Sequence, residues 1–108
     1  MVLEEKDIDK LGEEIVAQLK TIYDPEIPVD IYELGLIYDV QISTEGEAHI
    51  LMTLTSPNCP VAESLPMEVE EKIKAIQGIE KAKVEITFEP AWDKDMMSEE
   101  AKFELGML

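Results

Sequence analysis

The chain contains one cysteine, one histidine and nine basic side chains, and each scarcity removes a class of function. One cysteine cannot close an internal disulfide, which fits a reducing compartment. No CxxC pair occurs, and a lone cysteine with a lone histidine falls short of the roughly four ligands a zinc or iron–sulfur site takes. Nine basic against 25 acidic residues give a formal charge of −16. That field repels phosphate backbones and anionic headgroups, so neither nucleic acid nor membrane is an expected partner. The acidity has a plain explanation, since a strongly charged surface keeps a small domain soluble. No apolar run approaches a membrane span, and Met1 to Asp7 lacks the apolar core of a secretory signal. A cytoplasmic protein is expected. There is no Gly-rich phosphate loop, Ser-His-Asp arrangement or HExxH pattern.

What is present reads as one domain spanning 1–108, with 45% apolar and 31% charged residues. A chain of this length buries roughly two thirds of the surface it exposes when unfolded. Ile8, Leu11, Ile15, Leu19 and Ile22 recur at steps of three and four, which predicts a helix with one apolar stripe. Asp7 is placed to cap its first turn, and the helix should stop before Pro25. Asp24 to Asp30 is then a loop stiffened by Pro25 and Pro28.

Leu36, Tyr38, Val40 and Ile42 alternate with Ile37, Asp39 and Gln41, and Ala48 to Thr55 is a second strand-like run. The polar turn Ser43 to Glu47 between them predicts a hairpin. Ser56-Pro57-Asn58-Cys59-Pro60 is a turn by composition. Val61, Leu65, Val69, Ile73 and Ile76 then keep helical spacing up to Gly78, with Pro66 expected to kink or detach the first turn. Val84, Ile86 and Phe88 form a third strand ended by Pro90, and Ser98 can cap a short helix with Glu99 and Glu100 in its first turn. The order helix, two strands, helix, strand, short helix predicts an α/β sandwich with helices on a small mixed sheet.

Cys59 is the leading candidate for chemistry. It sits in a strand-to-helix turn with Pro60 suited to the first helical position, so unpaired backbone N–H groups and the helix dipole would favour its thiolate. The competing reading is a small buried apolar side chain. Asp24 and Glu26 flank a proline and could act as a base or orient the thiol, although Asp and Pro are also ordinary turn residues. His49 reads as a partly exposed strand residue sharing a face with Thr53 and Thr55, not as a ligand. Any metal on Cys59 must therefore be shared with another chain or a small thiol, or be held briefly. Trp92, Met96, Met97, Phe103 and Met107 read first as packing of a terminal helix, and second as an adaptable partner surface.

Three ordered segments, Asp24 to Ile37, Leu54 to Pro60 and Phe88 to Trp92, resemble the SufT-like and PaaD-like metal–sulfur cluster biosynthetic proteins, and the stretch from Met97 to Gly106 resembles their C-terminal pattern. The resemblance implies a single α/β domain that serves iron–sulfur protein maturation as a carrier or targeting factor and not as an enzyme. It matches the family's cysteine to Cys59, its acidic loop to Asp24 and Glu26, and its threonine to Thr55. It implies a transiently held iron–sulfur cluster, with other assembly proteins, apo-proteins or a second copy of the chain as partners. The absence of extra C-terminal cysteines favours the SufT-like branch over the PaaD-like one. The alternatives are an adaptor without metal chemistry, an accessory protein of a phenylacetyl-CoA ring-hydroxylating oxygenase, and, last, a thiol enzyme.

Overall fold

The computed structural model describes residues 4–23, 27–55 and 64–106. Helix α1 covers Glu5–Leu19, strands β1 and β2 cover Ile37–Ile42 and Glu47–Met52, helix α2 covers Ser64–Lys74, and strand β3 covers Lys81–Ile86. A 3-10 turn, Lys94–Met96, and helix α3, Glu99–Glu104, follow.

The apolar stripe of α1 does what its spacing requires. Leu11, Ile15 and Leu19 are buried and Ile8 packs at the edge of the core, each full burial contributing about 1.5–3 kcal/mol. Asp7 does bond the N-terminus, but as the third helical residue: its carboxylate accepts the Glu4 N–H at 3.1 Å. The helix is also shorter than its stripe. After Leu19 the Thr21 hydroxyl donates to the Gln18 carbonyl at 2.6 Å, a local bond that competes with helical pairing. Ile22 is buried all the same.

The sheet is mixed, in the order β1-β2-β3. β1 and β2 run antiparallel through the expected hairpin, and β3 runs parallel to β2. Parallel neighbours need a long crossover, and α2 supplies it. Ala48, Ile50 and Met52 point inward, opposite Ala82, Val84 and Ile86 in register. Helix α2 packs on β3, and α1 packs on β1 and α2. The opposite face is more open, with His49 half-buried between exposed Gln41 and Lys83.

Three expectations are corrected at the strands. The alternation from Leu36 to Ile42 is broken by a bulge: Ile37 faces Met52 while Asp39 faces Leu51, leaving Tyr38 as the extra residue. The bulge sends the Tyr38 hydroxyl to the Pro90 carbonyl at 2.7 Å. The second strand ends at Met52 instead of Thr55, and Met52, Thr53 and Leu54 are buried in succession. The alternation that was to place His49, Thr53 and Thr55 on one face therefore stops there. β3 ends at Ile86, short of Phe88, although the Thr87 N–H still donates to the Met52 carbonyl at 2.9 Å.

Pro66 lies within α2, whose described part opens at Ser64. The expected first turn at Val61 lies outside the described residues. Ser98 caps α3 as expected, its hydroxyl accepting the Ala101 N–H at 3.1 Å. Among the described residues no helix is long and apolar enough to cross a membrane.

Candidate functional site

The sequence points to Cys59, Asp24, Glu26 and Thr55. The first three lie outside the described residues; Thr55 is half-buried just beyond β2. What the structure defines is the framework from which those side chains depart.

A run of backbone hydrogen bonds crosses this end of the molecule. The Ile31 N–H donates to Ile22 at 2.9 Å, the Leu36 N–H to Ile31 at 3.2 Å, and the Thr53 N–H to Leu36 at 2.8 Å. Tyr23 and Asp30 pair in a single antiparallel bridge across the loop that contains Asp24 and Glu26. The end of α1, the return of the acidic loop, the turn before β1 and the exit of β2 are thus tied together. The terminal segment joins them, with the Trp92 indole N–H donating to the Leu34 carbonyl at 2.7 Å and the Ser98 N–H to Glu33 at 2.9 Å. The first and third of the resembling segments are in direct contact, and the strand leading into the second is bonded to the first.

Charges here are largely committed. The Asp30 carboxylate accepts the Glu33 N–H at 3.0 Å. Lys20 lies 3.6 Å from Glu33 and over the Tyr32 ring at 5.5 Å, exposed contacts each contributing up to about 1 kcal/mol.

Sequence reading missed Thr53. It is the buried polar residue of the core, with 0% exposure, and its hydroxyl has no hydrogen-bond partner among the described residues. An unmet buried hydroxyl costs about 1–3 kcal/mol. Thr53→Val keeps the shape and removes the unmet group, so it is expected to raise stability by about 1 kcal/mol. Urea denaturation checks the sign; a loss of stability would show that the hydroxyl is bonded in solution. The only signal for this in the sequence was a threonine set between Met52 and Leu54.

The terminal residues divide between the two expected roles. Met97 and Ala101 are buried and Trp92 is half-buried against the core, as packing requires. Phe103 is 74% exposed and Met96 is also exposed, so neither serves the core. Met107 lies outside the described residues. His49 is half-buried and 3.8 Å from Glu85. Among the described residues no group of three or more His, Cys, Asp or Glu side chains is placed to hold a metal.

A small α+β domain with a knitted loop end and, among the described residues, a three-stranded mixed sheet and three helices defines the class. Residues 12–86 match the family described as iron-sulfur cluster assembly protein, and the chain belongs to that family. It is 52% identical over 96 residues to an Fe-S protein maturation auxiliary factor of Porphyromonas gingivalis, covering 89% of this chain and 91% of the relative. It is 41% identical over 86 residues to the Fe-S protein maturation auxiliary factor SufT of Staphylococcus aureus, covering 80% of this chain and 98% of that protein. A solved domain of unknown function from Bacillus anthracis superposes with a TM-score of 0.88 at 32% identity, covering 97% of this chain and 100% of that one. The recognition and fold expected from sequence both hold.

Proposed function

We propose that this chain, folded as one domain, is a maturation factor for iron–sulfur proteins that holds or hands over iron–sulfur units through Cys59. The observation that carries the reading is the 52% identity, over nearly all of both chains, to a relative named as an Fe-S protein maturation auxiliary factor. The framework supports it, because the acidic loop and the β2 exit leading toward Cys59 spring from hydrogen-bonded neighbours.

In this reading the thiol gives its proton to Asp24 or Glu26, and the thiolate takes one coordination position on a cluster iron. A cysteine of the acceptor protein then displaces it. Thr55 belongs to the same site in this reading. The cluster is cargo, and its remaining ligands come from a partner, a small thiol or a second copy of the chain. The protein acts in the cytoplasm, without turnover of its own.

Anaerobic reconstitution with iron and sulfide tests this, read by absorbance and native mass spectrometry. Wild-type protein is expected to acquire cluster absorbance and Cys59→Ala to lose it. Equal uptake by the variant would end the proposal. A specific observation favours a second reading, an adaptor that recruits apo-proteins: the aromatic ring of Phe103 is largely in solvent. For an adaptor, Phe103→Ala impairs client binding in a pull-down while Cys59→Ala does not.

A further inference from the structure

At the hairpin end of the sheet, away from the hydrogen-bonded loop end, lies a groove of about 580 Å³ that carries Lys74, Lys81, Lys83 and His49 together with Glu47 and Glu80. From His49 to Thr53 is four residues of β2 and its exit, about 13 Å of extended chain. The groove falls within the usual volume of small-molecule sites, about 300–1,000 Å³.

Its charge is anomalous for this protein. The chain carries 25 carboxylates and nine basic residues, yet three of those nine line one concavity. Lys81 alone meets a carboxylate there, Glu47 at 3.9 Å. Lys74 and Lys83 make no ion pair among the described residues. The His49 Nε2 atom is buried and has no hydrogen-bond partner among the described residues, Glu85 standing at 3.8 Å. Two ammonium groups without an ion pair among the described residues thus share one cavity in a chain of net charge −16.

We propose that this groove binds a small organic acid bearing two or more carboxylates. Lys74 and Lys83 would pair with its carboxylates, while the carbon body lies along the strand segments between them. A site of this kind gives the protein a metabolite-sensitive surface separate from the loop end, and it does not depend on the role of Cys59.

The test is an amide NMR titration of the full chain with citrate at fixed ionic strength, which removes general screening. Saturable shifts are expected at residues 41–49 and 81–83, with residues 31–36 and 53–55 unmoved. Lys74→Gln with Lys83→Gln, both exposed positions, should weaken binding by about tenfold or more. Glu47→Gln should tighten it, because it frees Lys81 and removes an opposing charge. Inorganic phosphate, which lacks a carbon body, should bind more weakly. Uniform shifts, equal binding of phosphate, an unchanged affinity in the double variant, or a citrate-independent dimer that the double variant dissolves would each overturn the proposal.

Discussion

Gly35→Ala is expected to lower the unfolding free energy by about 3 kcal/mol or more, the sum of backbone strain and overpacking. Gly35 has φ +82°, a region that non-glycine residues rarely adopt, and a Cβ there would overlap the Met96 carbonyl oxygen. The obstacle is backbone, so no side-chain rotation relieves it. Met96 would have to move, and with it Met97, which is buried, and the Ser98 N–H bond to Glu33. The neighbouring Leu36, which bonds both Ile31 and Thr53, would be disturbed from the other side. Thermal unfolding should register a drop on the order of 15 °C for a domain of this size. A variant that melts within a few degrees of the parent would show that the terminal segment does not press on Gly35 in solution.

Cys59→Ser is expected to reduce maturation of client iron–sulfur enzymes to the level of a deletion, while leaving the melting temperature nearly unchanged. Serine differs from cysteine by one atom, but its oxygen is a hard ligand and is not deprotonated near neutral pH, whereas iron–sulfur chemistry selects thiolate. The measurement is client enzyme activity in cells carrying the variant in place of the parent gene. Wild-type activity there would remove Cys59 from the mechanism and leave the adaptor reading. A parallel melting curve separates that outcome from simple misfolding. Thr53→Val makes a useful companion, because a gain of stability with a loss of maturation would mark the unmet hydroxyl as functional.

Local rules made much of this protein legible. The 3.6-residue spacing of Leu11, Ile15 and Leu19, the polar hairpin turn at Ser43 to Glu47, and Ser98 ahead of two glutamates each specify an element through contacts a few residues apart. The ordered segments around Asp24, Cys59 and Pro90 likewise pointed to the family on their own. The tertiary structure decided everything that depends on residues far apart in the chain. It bonded Thr53 to Leu36, placed the Tyr38 bulge against Pro90, seated Trp92 on Leu34, and buried the Thr53 hydroxyl without a partner among the described residues. Periodicity reports which face of an element is apolar, but not what lies across from it. For that reason the apolar faces of the helices and the hairpin were legible in the sequence, while the tying of the loop end and the lysine-lined groove emerged only when distant segments met.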